Sequence, residues 1–153
     1  MDKLYVVRHA DAGTQDRGDE PDEGRPLSKR GRRQATALGD QLVDAGIKRL
    51  VASPFLRCCQ TLQPLGDRLG IEVEVDERLA EGQGFAGALA IATELRGSAA
   101  AICSHGDVIP DLLEALVRRG MKLKDARWQR ASTWVLTRDG DGFSKATYLP
   151  PPA

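Results

Sequence analysis

Apolar positions along the chain fall into short unbroken runs separated by longer stripes of helical spacing. Leu4-Tyr5-Val6-Val7 is such a run and predicts a buried strand. Residues 11–26 are rich in Asp, Gly, Glu and Pro and predict a long surface loop. Ser28 then suits a helix N-cap, and Ala35, Leu38, Leu42 and Val43 form a stripe that ends near Ala45, before Gly46. Ile47–Ala52 predicts a second strand. Ser53-Pro54 predicts the start of a helix with proline in its first turn, which would carry Phe55, Leu56, Cys59, Leu62, Leu65 and Leu69 inward. Pro64 lies inside that stripe and predicts a kink or a break. After Gly70 the alternating IEVEV predicts a short strand.

Residues 76–87 read as loop, and 88–95 as helix. Ala99–Cys103 reads as a buried strand, and Val108–Arg119 as a helix with Leu112, Leu113, Leu116 and Val117 on one side. Ser132–Thr137 and Phe143–Leu149 predict a closing hairpin around Asp139-Gly140-Asp141-Gly142. Strand and helix alternate until this final pair of strands. The order predicts a three-layer α/β/α fold, with a mostly parallel central sheet and helices on both faces. No repeat or linker divides it, so one domain over 1–153 is expected, with PPPA as a tail.

Composition narrows the classes. The 153 residues can bury a sizeable core. Basic and acidic residues balance at 22 each, which argues against a non-specific nucleic-acid binder but leaves room for a local basic pocket. No apolar run nears the roughly 18 residues of a membrane span. The first residues lack a signal peptide's long apolar region. Three cysteines, two of them adjacent at Cys58 and Cys59, do not form a disulfide framework, and a reducing cytoplasm is expected.

In an open parallel sheet, ligands bind beyond the carboxyl ends of the strands. The only two histidines both fall there: His9 follows the first strand, and His105 follows the strand ending in Cys103. Arg8 adjoins His9, and Ser53 follows the second strand. Arginine pairs bidentately with phosphate oxygens. Helix N-termini after Pro54 and Gly106 can add N–H donors. Histidine, with an ordinary pKa of about 6.5, serves as neutral nucleophile or cationic donor. Metal chemistry fits less well, because the chain lacks CxxC and HExxH and holds only two distant histidines. GKS/T, GxGxxG and GxSxG are also missing. Singly, each residue has a bland reading: a structural histidine, a solvated Arg57, core thiols, a solvated Glu81. Residue types alone reach a phosphate-handling α/β domain.

Four motifs, in order, resemble those of the histidine phosphatase superfamily, the group that includes cofactor-dependent phosphoglycerate mutases. VVRHADA resembles the Arg-His-Gly signature. RPLSKRGRRQA resembles P-L-T/S-x-x-G-x-x-Q-A. VASPFLRCCQT resembles S-P-x-x-R-x-x-Q-T, and SHGDVIPDLL resembles the second histidine segment. Within the family the chain looks most like the small phosphohistidine-phosphatase-like branch. It also looks like the phosphatase domain appended to some actinobacterial Nudix hydrolases.

The resemblance implies a phosphohistidine intermediate on His9, with phosphate held by Arg8 and Arg57 and a hydrogen bond from His105. It implies no cofactor and no metal. For the general acid it implies a loop glutamate after the third strand: Glu81 first, with Asp107 and Glu77 as alternatives. Ala10 replaces the signature glycine. Arg25 is either a further pocket residue or a surface arginine. Asp16, Asp19, Glu20, Asp22 and Glu23 in the same loop would repel a highly phosphorylated ligand unless paired.

The chain lacks the long insertion of the mutases. A phosphatase acting on a phosphorylated small molecule or a phosphoprotein is therefore favoured over a mutase, and the presence of Arg8, His9, Arg57 and His105 together argues against a non-catalytic phosphate-binding domain. Neither nucleic acid nor a membrane is expected as a partner. The sequence does not set the oligomeric state, and Trp128, Trp134 and Phe143 suit core, pocket rim or interface.

Overall fold

Alternation along the first strand divides the core in two. In β1 (Lys3–Arg8), Leu4 and Val6 face one side of the sheet, and Tyr5 and Val7 the other. The computed structural model describes residues 2–14, 18, 20–125 and 127–152, so Asp16 and Asp19 lie outside the described residues. Further elements are α1 (Lys29–Leu42), β2 (Arg49–Ala52), α2 (Leu56–Leu69), β3 (Val73–Val75) and α3 (Ala86–Glu94). They are followed by β4 (Ala100–Ser104), α4 (Val108–Arg118), β5 (Thr133–Asp139) and β6 (Gly142–Leu149).

The sheet order is β3-β2-β4-β1-β5-β6. The first four strands in that order are mutually parallel, and β5 and β6 add on antiparallel. Leu38 and Leu42 of α1 and Leu62 and Leu65 of α2 pack on Tyr5, Val7, Leu50 and Cys103. Ile91 of α3 and Leu112 and Leu116 of α4 pack on Leu4, Val6, Ile102 and Leu136. Each buried leucine contributes roughly 1.5–3 kcal/mol, enough to fix both layers. This is the expected α/β/α sandwich.

Ser28 caps α1 as expected, its hydroxyl accepting from Gly31 N–H at 3.0 Å. Gly31 also explains how α1 meets the first loop. A Cβ there would lie 1.9 Å from the Asp11 carbonyl oxygen, a backbone atom that cannot swing away. Gly31→Ala is expected to destabilise the fold by about 3 kcal/mol or more, read by denaturant unfolding. An unchanged midpoint would contradict this close approach.

Several local expectations are corrected. Helix α2 begins at Leu56 with Phe55 as its cap, so Pro54 precedes the first turn. Its buried positions are Arg57, Cys58, Thr61, Leu62, Leu65 and Gly66, whereas Leu56 is exposed and Cys59 half-buried. The inward stripe contains polar residues because this end of the helix faces the site. Pro64 does not end the helix. Leu62 and Leu65 are buried on either side of it, and a Cβ on Gly39 of α1 would lie 3.4 Å from Leu65 N. Packing against α1 outweighs the lost backbone bond. The hairpin turn contains two residues, Gly140 and Asp141, because Asp139 and Gly142 already pair as strand residues. β3 has three residues at the sheet edge rather than five. Trp134 is buried in the core, and Trp128 and Phe143 pack against it.

Register places the chemistry. Val7 and Ala52 both pair with Cys103, and Arg8 pairs with Ser104. The chains leaving β1, β2 and β4 therefore emerge side by side at one edge, carrying His9, Ser53 and His105.

Candidate active site

The sharp exit from β1 is held by hydrogen bonds that continue past the strand. His9 N–H donates to the Ser104 carbonyl at 3.1 Å, and Ala10 N–H donates to Thr61 Oγ1 at 2.9 Å. Thr61 in turn donates its hydroxyl to the Arg57 carbonyl at 2.7 Å. One threonine thus couples the His9 segment to the turn of α2 that bears Arg57. Ala10 is fully buried and has an ordinary negative φ, since Ala131 is the only described non-glycine residue at positive φ. Its methyl packs with Ala12, Leu27, Ala35 and Ala131, which absorbs the departure from glycine.

His9 Nδ1–H donates to the Ala10 carbonyl at 2.9 Å. That bond fixes the tautomer and leaves Nε2 with a free lone pair. Burial pushes the His9 pKa down to about 3, with the charges of Arg57, His105 and Arg8 adding to the effect against the Ala10 hydrogen bond. The neutral ring therefore persists through mild acid. The sign for stability follows: between pH 6.5 and about 3 the unfolded chain binds a proton at His9 that the folded chain refuses. Stability falls as pH drops through this window. His9→Asn is expected to flatten the pH dependence of unfolding between pH 6.5 and 3. A pH slope identical to the parent's would overturn that assignment.

His105 packs edge-on against His9, ring centroids 5.5 Å apart, and against Phe55 at 4.8 Å. Its Nε2 lies 2.9 Å from Ser53 Oγ and 3.6 Å from Cys58 Sγ. Ser53 Oγ already accepts Phe55 N–H at 3.2 Å, so its own hydrogen is free to donate to Nε2. His105 Nδ1 is buried and has no hydrogen-bond partner among the described residues.

Both arginines are held in place. Arg8 NH1 donates to the Trp128 carbonyl at 2.9 Å, and its Nε is buried without a partner among the described residues. Its guanidinium lies flat over Gly106, where a Cβ would fall 2.8–3.1 Å from three guanidinium atoms. Arg57 is 1% exposed, stacks on Phe55 at 4.8 Å, and donates from NH1 and NH2 to Asp22 O and Oδ2 at 3.0 and 3.1 Å. Burial tends to raise the Asp22 pKa, but the Arg25 hydrogen bond and the charges of Arg57 and Arg25 hold it below the ordinary value. Arg25 is buried rather than superficial, donating to Asp22 Oδ1 at 2.9 Å and to the Ala12 carbonyl at 2.7 Å.

Arg8, His9, Arg25 and Arg57 share one cavity of about 410 Å³ with Glu81, Asp107 and Arg130. His105 is not among the lining residues but packs on His9, which is. Glu81 is part-exposed, with Oε2 at 3.7 Å from Arg57 NH2. Asp107 is committed to structure: Oδ1 accepts Val108 N–H at 2.9 Å, capping α4, and Oδ2 accepts Gly82 N–H at 2.7 Å. The first N–H of α4 is therefore already satisfied within the protein. Glu77 opens a 3₁₀ turn, is exposed, and does not line the cavity. Among the described residues no group of three or more His, Cys, Asp or Glu side chains could hold a metal ion. All three cysteines are free thiols.

Residues 4–86 match the model of the histidine phosphatase superfamily, branch 1. The chain belongs to the histidine phosphatase superfamily. The 8-oxo-(d)GTP phosphatase of Mycolicibacterium smegmatis is 37% identical over 155 residues, covering 97% of this chain and 48% of that protein. The chain thus spans about half the length of this relative. The protein histidine phosphatase SixA complexed with tungstate superposes with a TM-score of 0.78 at 23% identity, covering 96% of this chain and 94% of that one. A mycobacterial glucosyl-3-phosphoglycerate phosphatase superposes with a TM-score of 0.72 at 19% identity over the full length of both chains. At these identities the structural likeness speaks to the fold.

Sequence reasoning placed Arg8, His9, Arg57, His105 and Glu81 in one neighbourhood, and the structure brings them together. It missed Thr61, although the Q-T of the third motif contains it. It counted Asp22 as a repulsive charge unless paired, and the carboxylate is paired, bridging Arg25 and Arg57. Arg130 carried no local signal at all.

Proposed function

We propose that the chain is a single-domain, metal-independent phosphatase that works through a phosphohistidine on His9. The observation carrying this reading is the bond from His9 Nδ1–H to the Ala10 carbonyl, which leaves Nε2 as the nucleophilic nitrogen in a cavity ringed by arginines. Attack by Nε2 on phosphorus breaks the bond to the leaving oxygen, and water then cleaves the N–P bond to release phosphate. Arg8 and Arg57 stabilise the negative oxygens in flight. Ser53 holds His105 with its proton on Nδ1, the partnerless atom that would donate to the transferring group.

Glu81 is the general acid of this scheme, since Asp107 is occupied by the α4 cap and Glu77 is remote from the cavity. Glu81→Gln is expected to slow hydrolysis of an alkyl phosphate about 10²-fold, with a smaller effect on a phosphohistidine peptide, whose imidazole leaves more easily. Equal losses on the two substrates would remove Glu81 from that role.

Substrates of this class are phosphorylated small molecules or phosphoproteins, and the cytoplasm is the compartment that the free thiols favour. Among the described residues no helix is long and apolar enough to cross a membrane. The test is rapid-quench mass spectrometry with a small phosphomonoester and, separately, a phosphohistidine peptide. A phosphoryl adduct on His9 that forms and decays at the turnover rate is the expected result. Phosphate release with no adduct, or with an adduct elsewhere, would overturn it.

A further inference from the structure

Arg25 and Arg130 are the cations of the cavity that the proposed reaction does not use, and at Arg130 the backbone is strained to hold the residue in place. The next residue, Ala131, has φ of +65°. For alanine this left-handed conformation is strained, because Cβ crowds the following carbonyl oxygen. It is retained because Ala131 N–H points at the carbonyls of both Arg8 and His9, at 3.1 and 3.2 Å. Ser132 N–H closes the turn onto the Gln129 carbonyl at 2.9 Å, and Arg8 N–H donates to the Ser132 carbonyl at 3.0 Å. Arg8 NH1 binds the Trp128 carbonyl two residues before Arg130. Main chain and side chain together lock this turn to the segment bearing the nucleophile. Strain of this kind persists where the surroundings over-determine it, commonly at ligand sites.

The locked turn brings two guanidiniums to one wall. Burial lowers the Arg8 pKa, and the neighbouring Arg130 charge lowers it further. Among the described residues no carboxylate is bonded to Arg8; its side-chain partner is the Trp128 carbonyl, and Nε has none. Arg130 is tied by NH1 to Asp11 Oδ1 at 2.8 Å, its one side-chain hydrogen bond among the described residues. Arg25 differs, because Asp22, Ala12 and Gly13 occupy it. The loop acid Asp22 is itself neutralised by Arg25 and Arg57, so it offers little repulsion to a multiply charged ligand.

We propose that Arg130, beside Arg8, forms a subsite for a second phosphate adjacent to the one transferred, so that the substrate class is a diphosphate (a phosphoanhydride) rather than a simple monoester. The proposal rests on reading the cavity as a phosphoryl-transfer site. In the reaction, His9 Nε2 bonds to the terminal phosphorus and the bridging P–O bond breaks. The electron pair leaves on the bridging oxygen, now part of the inner phosphate. Water then cleaves the N–P bond, giving orthophosphate and a proton and restoring the neutral ring. Arg130 faces the charge that accumulates on the departing phosphate. Such a leaving group needs little protonation, which suits an acid as exposed as Glu81.

Titration calorimetry with methylphosphonate and methylenediphosphonate tests the subsite without turnover. The parent protein is expected to bind the diphosphonate about tenfold more tightly or better. In Arg130→Gln that preference is expected to collapse to about twofold, with the methylphosphonate affinity moving less than about threefold. Equal affinities in the parent, or parallel loss of both ligands in the variant, would overturn the subsite. The His9 adduct with a small phosphomonoester is measured alongside. An adduct without diphosphonate preference sinks the subsite and leaves the phosphatase reading intact. A preference that Arg130→Gln abolishes, without any adduct from any phosphorylated donor, does the reverse.

Discussion

His9→Ala is expected to reduce turnover roughly 10⁴-fold or more and to leave no acid-labile phosphoryl adduct on the protein. Two losses combine in this variant. The nucleophilic Nε2 disappears, and His105 cannot replace it, since its Nε2 is engaged by Ser53 and only its Nδ1 is left to meet the phosphoryl group. The fold should survive. His9 is buried, but its one side-chain bond goes to the neighbouring Ala10 carbonyl, and the backbone bonds that shape the turn, from His9 N–H to Ser104 and from Ala10 N–H to Thr61, do not need the ring. Removing an imidazole whose protonation is opposed by burial should even improve acid tolerance. Phosphate or vanadate affinity should fall much less than turnover, because Arg8 and Arg57 remain. Turnover within tenfold of the parent would mean that another group, or water, attacks phosphorus, and the phosphohistidine route would be wrong.

The features of this site that the sequence reveals are those that depend on chain order. Short apolar runs mark strands, and an α/β alternation forces the loops after parallel strands to one edge, so two histidines following two such runs must approach one another. The 5.5 Å contact between His9 and His105 realises that argument. Motif spacing adds Arg57, because S-P-x-x-R begins where β2 ends.

What the sequence hides depends on packing. The inward face of α2 is read wrongly because Arg57 and Thr61 are buried for function, which breaks the apolar stripe and shifts its apparent phase onto Cys59. Pro64 is tolerated because α1 presses on the helix at Gly39, a contact made between elements far apart in sequence. Asp22 reads as a loop charge and proves to be the partner of Arg25 and Arg57, which only a folded loop can bring together. Arg130 is aimed by a left-handed alanine, and nothing in RWQRAST announces that conformation.

Arg57→Met should lower kcat/KM roughly 10³-fold, and its effect on stability should be separable from its effect on catalysis. The catalytic loss follows from position. Arg57 is 1% exposed, stacked on Phe55 and tied through its own backbone to Thr61, so its charge is pre-oriented beside His9 and needs no reorganisation as the phosphoryl group moves. Methionine keeps much of the buried volume and removes every donor. The stability loss follows from Asp22, which keeps Arg25 but loses two bonds to Arg57. With Asp22 part-exposed, that disruption is expected to cost about 1–2 kcal/mol, less than for a fully buried pair. Asp22→Asn placed on top of Arg57→Met should then recover most of the stability, because the carboxylate left under-compensated is gone. It should recover none of the rate, because the charge that meets the phosphoryl oxygens is still missing. A double variant that regained activity together with stability would show that Arg57 serves the loop and not the reaction.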